Sequence, residues 1–552
     1  MYGTSTLKKN ITRKNRIRID KKIAEAVMGE KKISKNTAVC GAIFVLYAAL
    51  TLIGALNHEL WFDEAQAWTI ARDNTIGGIF HQLGYEGHPP LWYLILYVFS
   101  HLGFECTVIP LISWVITLAA AAVVMFRAPF HIVTKAALLF SGGFLYLNSV
   151  MSRVYCLINL FAVLIAWLYP KRKEHPVLFG FFIAMLANTH ICISGFIGIM
   201  GIFMITDLFR GFRTNSPKQN AAEITGLAVS GIGVLTLVLP LLNSLSLNSS
   251  TSEMTMSFGY IVDSVLGSFL NIALTAIDYN RQSGIMIGGG MLSYILAGFI
   301  SALLVVMVIL MRHKTRPFMM LIFFCVFYIV TTEVLWTSIP NRALIFVAMF
   351  FVIAWIAECE PENKAFDIWS GKSFKVDTNT IRKLIKFIKD SDKNFSRSYL
   401  ALLTAVLLIT VPAGAAYLFN DYTTSFCPSE KTADYIRNNF PGGSVFVTDD
   451  EFASFLSAYL PEYKFYSTEY GEFYTYFYHK KHLEVPNEKI YNDLIDYENV
   501  YYIVAHTEID FIRSNRDIIY SIREGMIYGI NVRYIEISEF DLDKEIAGFI
   551  SE

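Results

Sequence analysis

Long apolar runs, separated by short basic or aromatic stretches, fill the chain up to about residue 418. A helix needs about 17–25 residues to cross a hydrocarbon core. Runs near that length occupy 37–56, 107–126, 131–150, 154–170, 222–243, 289–311, 317–336, 342–357 and 398–418. A further apolar stretch at 176–207 divides at Asn188-Thr189-His190 into two short passes, because Lys171-Arg172-Lys173 and Arg210, Arg213 and Lys218 otherwise fall on opposite sides. The pattern predicts eleven passes. Pro89 to Phe104 is apolar and aromatic but short, and counting it as a pass inverts every later basic loop, so it is expected to lie in the interface or re-enter. Beyond 418 the pattern changes. Short β-rich stretches (Ser444–Val447, Tyr463–Tyr466, Val500–Val504, Val532–Ile537) alternate with helical ones such as Lys431–Asn438, which predicts a small α/β domain.

Composition supports a membrane protein, with 54% hydrophobic and 17% charged residues and a mean hydropathy of +0.43. A soluble multidomain enzyme is excluded. The net charge of -1 hides a split: residues 419–552 hold 11 Lys+Arg against 24 Asp+Glu, and the remainder 35 against 23. The first 36 residues carry 11 Lys+Arg and three acids ahead of any apolar run, so no cleavable signal peptide is expected and the N-terminus stays inside. With that orientation the inside stretches hold 31 Lys+Arg and the outside loops four, namely Arg72, Arg153, Arg281 and Arg342. The expected organisation is a basic cytosolic tail (1–36), a transmembrane catalytic domain (37–418) whose first external loop spans 57–106, and an extracytoplasmic α/β domain (419–552). Seven scattered cysteines without CxxC pairs or histidines at ligand spacing exclude a zinc module and a disulfide framework.

The chemistry concentrates in the first external loop, which reads NHELWFDEAQAWTIARD (57–73) and then GYEGHPPLWYL (84–94). Asp63 and Glu64 stand just past the outer end of the first pass, among Trp61, Phe62 and Trp68. A partly desolvated carboxylate there gains proton affinity and suits a general base for a hydroxyl. The same residues also fit a solvated acidic loop with interfacial aromatics. The Tyr/Phe-dense stretch Tyr463–Tyr478 reads as packed core or a membrane-contacting face, or else as a carbohydrate platform.

WFDEAQAW in the first loop, EGHPPLWYL some twenty residues on, and SRVY (152–155) at a later external end together resemble the GT-C membrane glycosyltransferases, of the protein O-mannosyltransferase and aminoarabinose-transferase type that use polyprenyl-phosphate sugars. The resemblance covers roughly 37–420 and is most specific in the first loop. It implies that Asp63 is the catalytic carboxylate, with Glu64 beside it shaping the site or holding the acceptor, and that His88 lies near the lipid phosphate. Pro89-Pro90 then starts a short interfacial helix. Arg153 and Arg342, at outward helix ends, suit a phosphate leaving group, joined by Tyr155. Glu86, His190 and Arg281 are the weaker members of the set. Relatives carry an Asp near the second external loop, whereas this chain has only Arg153 and Tyr155 there. No two-carboxylate metal site is visible near that loop, so the expected donor is a monophosphate lipid handled without metal or other cofactor.

The resulting expectation is inverting transfer of a sugar from a polyprenyl-phosphate donor to an acceptor hydroxyl of a glycan, lipid or protein at the outer face of the cell membrane, with no nucleic-acid partner. A lipid or solute transporter would instead place polar groups near the midplane of several helices. A membrane-tethered sensor or assembly factor would do its work through the α/β tail and leave the first-loop motif without a purpose.

Overall fold

A computed structural model of the chain describes residues 35–86, 88–247, 272–273, 291–331, 340–361, 395–448, 455–477, 485–506, 517–523 and 534–542. Every one of the eleven apolar runs holds a helix: α1 (Lys35–Asn57), α5 (Ile109–Arg127), α6 (Ile132–Leu139), α7 (Tyr155–Leu168), α8 (Pro176–Ala187), α9 (Ser194–Gly211), α10 (Pro217–Leu247), α11 (Met291–Met311), α12 (Thr315–Ile329), α13 (Pro340–Glu358) and α14 (Phe395–Thr423). Among the described residues, six helices are long and apolar enough to cross a membrane. The chain is a multi-pass helical membrane protein with a small C-terminal sheet domain.

Three helices fill the segment between α1 and α5: α2 (Phe62–Asp73), α3 (Ile76–Glu86) and α4 (Leu91–His101), followed by a 3-10 turn at Cys106–Val108 that leads into α5. The segment 89–104 is thus a short helix, and Pro90 occupies its N-cap, where a missing N–H costs nothing. The 176–207 stretch breaks at the expected place. Helix α8 ends at Ala187, His190 caps a 3-10 turn at Ile191–Ile193, and α9 begins at Ser194. Helix α8 lies against α10 through glycines: a Cβ on Gly180 would sit 2.0 Å from the Gly226 carbonyl oxygen, so the two backbones touch.

Two features depart from the expected pattern. The run 131–150 is not a continuous helix, because α6 stops at Leu139 and the chain goes through Ser141-Gly142-Gly143 into a π-turn at Gly143–Leu147. The break has a physical cause: Gly142 packs against the Gly414 backbone of α14, and Gly143 against Leu344 of α13, at distances a side chain would close. The other departure is α13, whose residues 343–357 are all buried, in keeping with a sequence that is apolar on every face.

After α14 the chain forms α15 (Ser429–Asn439), β1 (Val445–Thr448), α16 (Leu456–Tyr459), β2 (Lys464–Ser467), β3 (Glu472–Tyr474), α17 (Asn487–Leu494), β4 (Val500–His506), β5 (Ile518–Arg523) and β6 (Tyr534–Glu539). The sheet order is β3-β2-β1-β4-β6-β5, with β1 parallel to β2 and β4 and the outer pairs antiparallel. Within the aromatic stretch, Tyr463, Phe465, Tyr466, Tyr470 and Tyr474 are buried and Phe473 is exposed, while Tyr478 lies outside the described residues.

This domain is stitched to the first loop. Tyr459 Oη accepts from Leu60 N at 2.9 Å, and Ser429 Oγ donates to the Leu60 carbonyl at 3.1 Å. Gln66 on α2 makes a reciprocal amide pair with the Phe477 backbone, at 2.9 and 2.8 Å. Arg72 donates to the Ser457 carbonyl and pairs with Asp73. Helix α2 is therefore fixed between the bundle and the sheet domain.

Candidate active site

Helix α2 starts with a capping box. The Glu64 carboxylate at its third position reaches back to the Trp61 N–H at 3.0 Å, satisfying a backbone donor that the helix itself leaves free. That geometry points Glu64 inward, and its side chain is fully buried. It also accepts from the Ser152 N–H and lies 3.0 Å from His58 Nε2. With these partners the Glu64 carboxylate is held inside, away from solvent.

Asp63, one residue earlier, turns the other way and stays a quarter exposed. It forms an ion pair with Arg153, whose guanidinium also stacks over the Trp61 ring at 5.5 Å. The segment 152–155 therefore has carboxylates beside it after all. Both come from the first loop: Glu64 on the Ser152 amide and Asp63 on the Arg153 side chain.

Around this pair the fold collects further cations and polar groups at helix ends. Tyr155 opens α7, and Arg342 lies in the first turn of α13, where Tyr155 is among the groups that favour its charged form. The His190 ring is 5.7 Å from the Tyr155 ring and 6.0 Å from that of His88. Burial, reinforced by the neighbouring Arg342, His88 and Arg153, holds His190 well below the usual imidazole range, so it is neutral. Its Nδ1 accepts from the Cys192 N–H at 3.1 Å, which leaves the proton on Nε2 as a donor. His88 has the opposite arrangement, with Nδ1 2.7 Å from the Glu86 carbonyl and so donating to it. Glu86 accepts from Gln66 Nε2 at 3.0 Å, which ties the end of α3 to α2. Asp63, Arg153, Tyr155, His88, His190 and Arg342 thus form one cluster, with Glu64 and Glu86 behind it. Arg281 lies outside the described residues, as do residues 1–34 of the basic tail.

Two members of the site escaped the sequence reading. His58, just past α1, is fully buried between two carboxylates, with Nε2 on Glu64 and Nδ1 2.8 Å from Asp421 near the end of α14. Burial alone would lower its proton affinity, but the Glu64 and Asp421 charges outweigh that and raise it to about 10, so His58 is an imidazolium. His58 stands in the same NHELWFDE stretch as Asp63. Asp421 offered no local signal, since it is 363 residues away.

At the opposite ends of the helices a second charged group gathers. Asp207 of α9 pairs with Arg172 and Arg316, and Tyr169 donates to Glu360 at 2.6 Å. These residues belong to the stretches that carry the basic excess noted in the sequence.

No family model matches the chain, and no curated protein matches it. Among solved structures it is similar to ArnT from Cupriavidus metallidurans bound to undecaprenyl phosphate, at 10% identity and a TM-score of 0.46, over 92% of this chain and 99% of that one. The apo state of that protein gives 12% identity, the same TM-score and the same coverage.

Proposed function

We propose that the protein is a membrane glycosyltransferase that moves a sugar from a polyprenyl-phosphate donor to an acceptor hydroxyl at the outer face of the membrane, with inversion at the anomeric carbon. The observation that carries this reading is the pairing of a partly exposed carboxylate, Asp63, with a cluster of phosphate-suited groups, Arg153, Arg342, His88 and His190, at helix ends. A lipid tail has to stay in hydrocarbon while sugar and acceptor meet in water, so such a site belongs where helices stop.

In the proposed reaction the acceptor oxygen attacks the anomeric carbon, and Asp63 takes the hydroxyl proton as that bond forms. The bond from the anomeric carbon to the phosphate oxygen breaks, and the polyprenyl phosphate leaves with its electron pair. One displacement from the opposite face inverts the centre. The added negative charge falls on oxygens that Arg153 and Arg342 can grip and to which the His190 Nε2–H can donate. Arg153 has to divide itself between Asp63 and the phosphate, so donor binding loosens the carboxylate and frees it as a base. The chain needs no divalent ion in this scheme. The sheet domain lies on the outer side and screens or binds the acceptor, and the basic N-terminal tail lies in the cytosol.

The test is transfer of labelled sugar from a panel of polyprenyl-phosphate sugars by membranes holding wild type or Asp63→Asn, with and without EDTA. The reading expects transfer that is lost in the variant and indifferent to EDTA. Undiminished transfer by Asp63→Asn removes the base, and no transfer from any donor refutes the activity. Impermeant labelling of a cysteine introduced on α15 of the intact cell tests the sidedness.

A further inference from the structure

Four hydrogen-bonded or ion-paired steps and one peptide link lead from the last membrane helix to the site. Asp421, two residues before the last residue of α14, meets His58 Nδ1 at 2.8 Å. His58 Nε2 meets Glu64 at 3.0 Å, and Glu64 takes the Trp61 and Ser152 amides. The residue after Ser152 is Arg153, which pairs with Asp63 and stacks on Trp61. The three ionisable groups in the middle of this path are essentially sealed from solvent, between the rings of Phe426 at 5.1 Å and Tyr146 at 6.4 Å from His58. A core built for stability alone does as well with apolar packing of the same volume. Buried charges of this kind instead impose one arrangement, because every alternative strands a charge away from water.

The geometry points to His58 and Asp421 as positioning residues of the transfer reaction, which fix the Ser152–Arg153 backbone through Glu64 so that Arg153 faces Asp63. This rests on the glycosyl-transfer reading above. A consequence is that the sheet domain takes part in setting the site. The chain leaving α14 is held at three further points on the first loop: Ser425 on Glu59, Ser429 on the Leu60 carbonyl, and Tyr459 on the Leu60 amide. Docking of that domain and alignment of Arg153 are then one event, because Glu59 and Leu60 directly follow His58.

The experiment uses the full chain in lipid nanodiscs, as wild type, His58→Gln, Asp421→Asn and Asp421→Glu. Asp421→Asn keeps the size and one acceptor oxygen, so it remains informative where His58→Gln does not fold. The first readout is hydrogen exchange of the 148–156 peptide, which needs no activity. Both charge-removing variants are expected to speed exchange there by about tenfold or more while α7 and α9 keep their protection. The second readout is sugar transfer, where kcat is expected to fall about 100-fold with donor KM changed by less than about threefold, and Asp421→Glu to restore part of it. The third is a double-mutant cycle with Arg153→Lys, in which the Asp421→Asn loss in kcat shrinks once Arg153 is altered. Unchanged exchange at 148–156, or additive losses in the cycle, overturns the proposal. If the wild type transfers no sugar from any donor, the glycosyl-transfer reading fails, and the exchange result with binding of undecaprenyl phosphate by the same variants still decides whether Asp421 and His58 position Arg153.

Discussion

Asp63→Asn separates two tasks that sit on neighbouring atoms. The substitution keeps the side-chain shape and removes the negative charge that Arg153 holds. A fully buried pair broken in this way costs about 3–5 kcal/mol and an exposed one about 0–1. Asp63 is 25% exposed and Arg153 12%, so solvent screening places the pair between those limits, at about 1–2 kcal/mol. That interaction competes with an incoming phosphate. Its removal is expected to tighten binding of a polyprenyl phosphate by about 5- to 30-fold. Loss of a general base has the opposite effect on turnover, a fall of about 10²–10⁴. The assay is titration of undecaprenyl phosphate into the purified variant, alongside single-turnover sugar transfer. Tighter lipid binding with collapsed transfer supports the assignment. If binding and transfer weaken together, Asp63 is a binding group and not the base.

Further outcomes follow from the surroundings of the site. Glu64→Gln leaves the His58 charge with a single buried partner and is expected to destabilise the chain by about 3 kcal/mol or more, seen as a lower thermal midpoint in detergent. His58 carries its proton up to about pH 10 in the folded chain, against about 6.5 when unfolded, so its contribution is complete below about 6.5 and is lost as pH rises toward 10. Stability of the wild type should decline across that window, and a flat profile identical in His58→Gln would contradict the ion-paired imidazolium. Gly180→Ala drives a methyl into the Gly226 carbonyl and should cost about 1–3 kcal/mol, whereas Gly198→Ala on α9 meets open space and should be neutral or slightly stabilising in the same unfolding assay.

What was legible in the sequence was whatever depends on neighbours along the chain. The split at Asn188-Thr189-His190 showed because polar residues interrupt an apolar run between basic flanks. The helix after Pro89-Pro90 showed because proline marks a helix start. Asp63, His88 and Glu86 drew notice as polar residues crowded among aromatics. Other parts depend on residues far apart. The Asp421–His58 contact closes a loop of 363 residues, and no local pattern encodes it. The break after Leu139 looked like continuous apolar helix because its cause lies on α13 and α14, at Leu344 and Gly414. That Glu64 turns inward and Asp63 toward Arg153 depends on Ser152 and Arg153, some ninety residues away. Strand β5, with its mostly exposed and irregular register against β6, gave too weak an alternation to read.

The interrupted segment after α6 bears on how the protein is made. A helix of eight residues is far too short to enter a bilayer as a stable span, and the π-turn behind it presents backbone groups that lipid cannot satisfy. Residues 141–152 are buried throughout, with Tyr47 of α1 donating to the Phe144 carbonyl at 2.5 Å. Tyr47 is already in place when this segment leaves the ribosome. Leu344 and Gly414, which close the other side, are synthesised much later. The segment therefore has to wait, half lodged against α1 and α5, until α13 and α14 arrive. Arg153 stands directly after this stretch, so the site is completed only in the last stage of biogenesis, and a nascent chain arrested before Gly414 should hold its first loop without a competent centre.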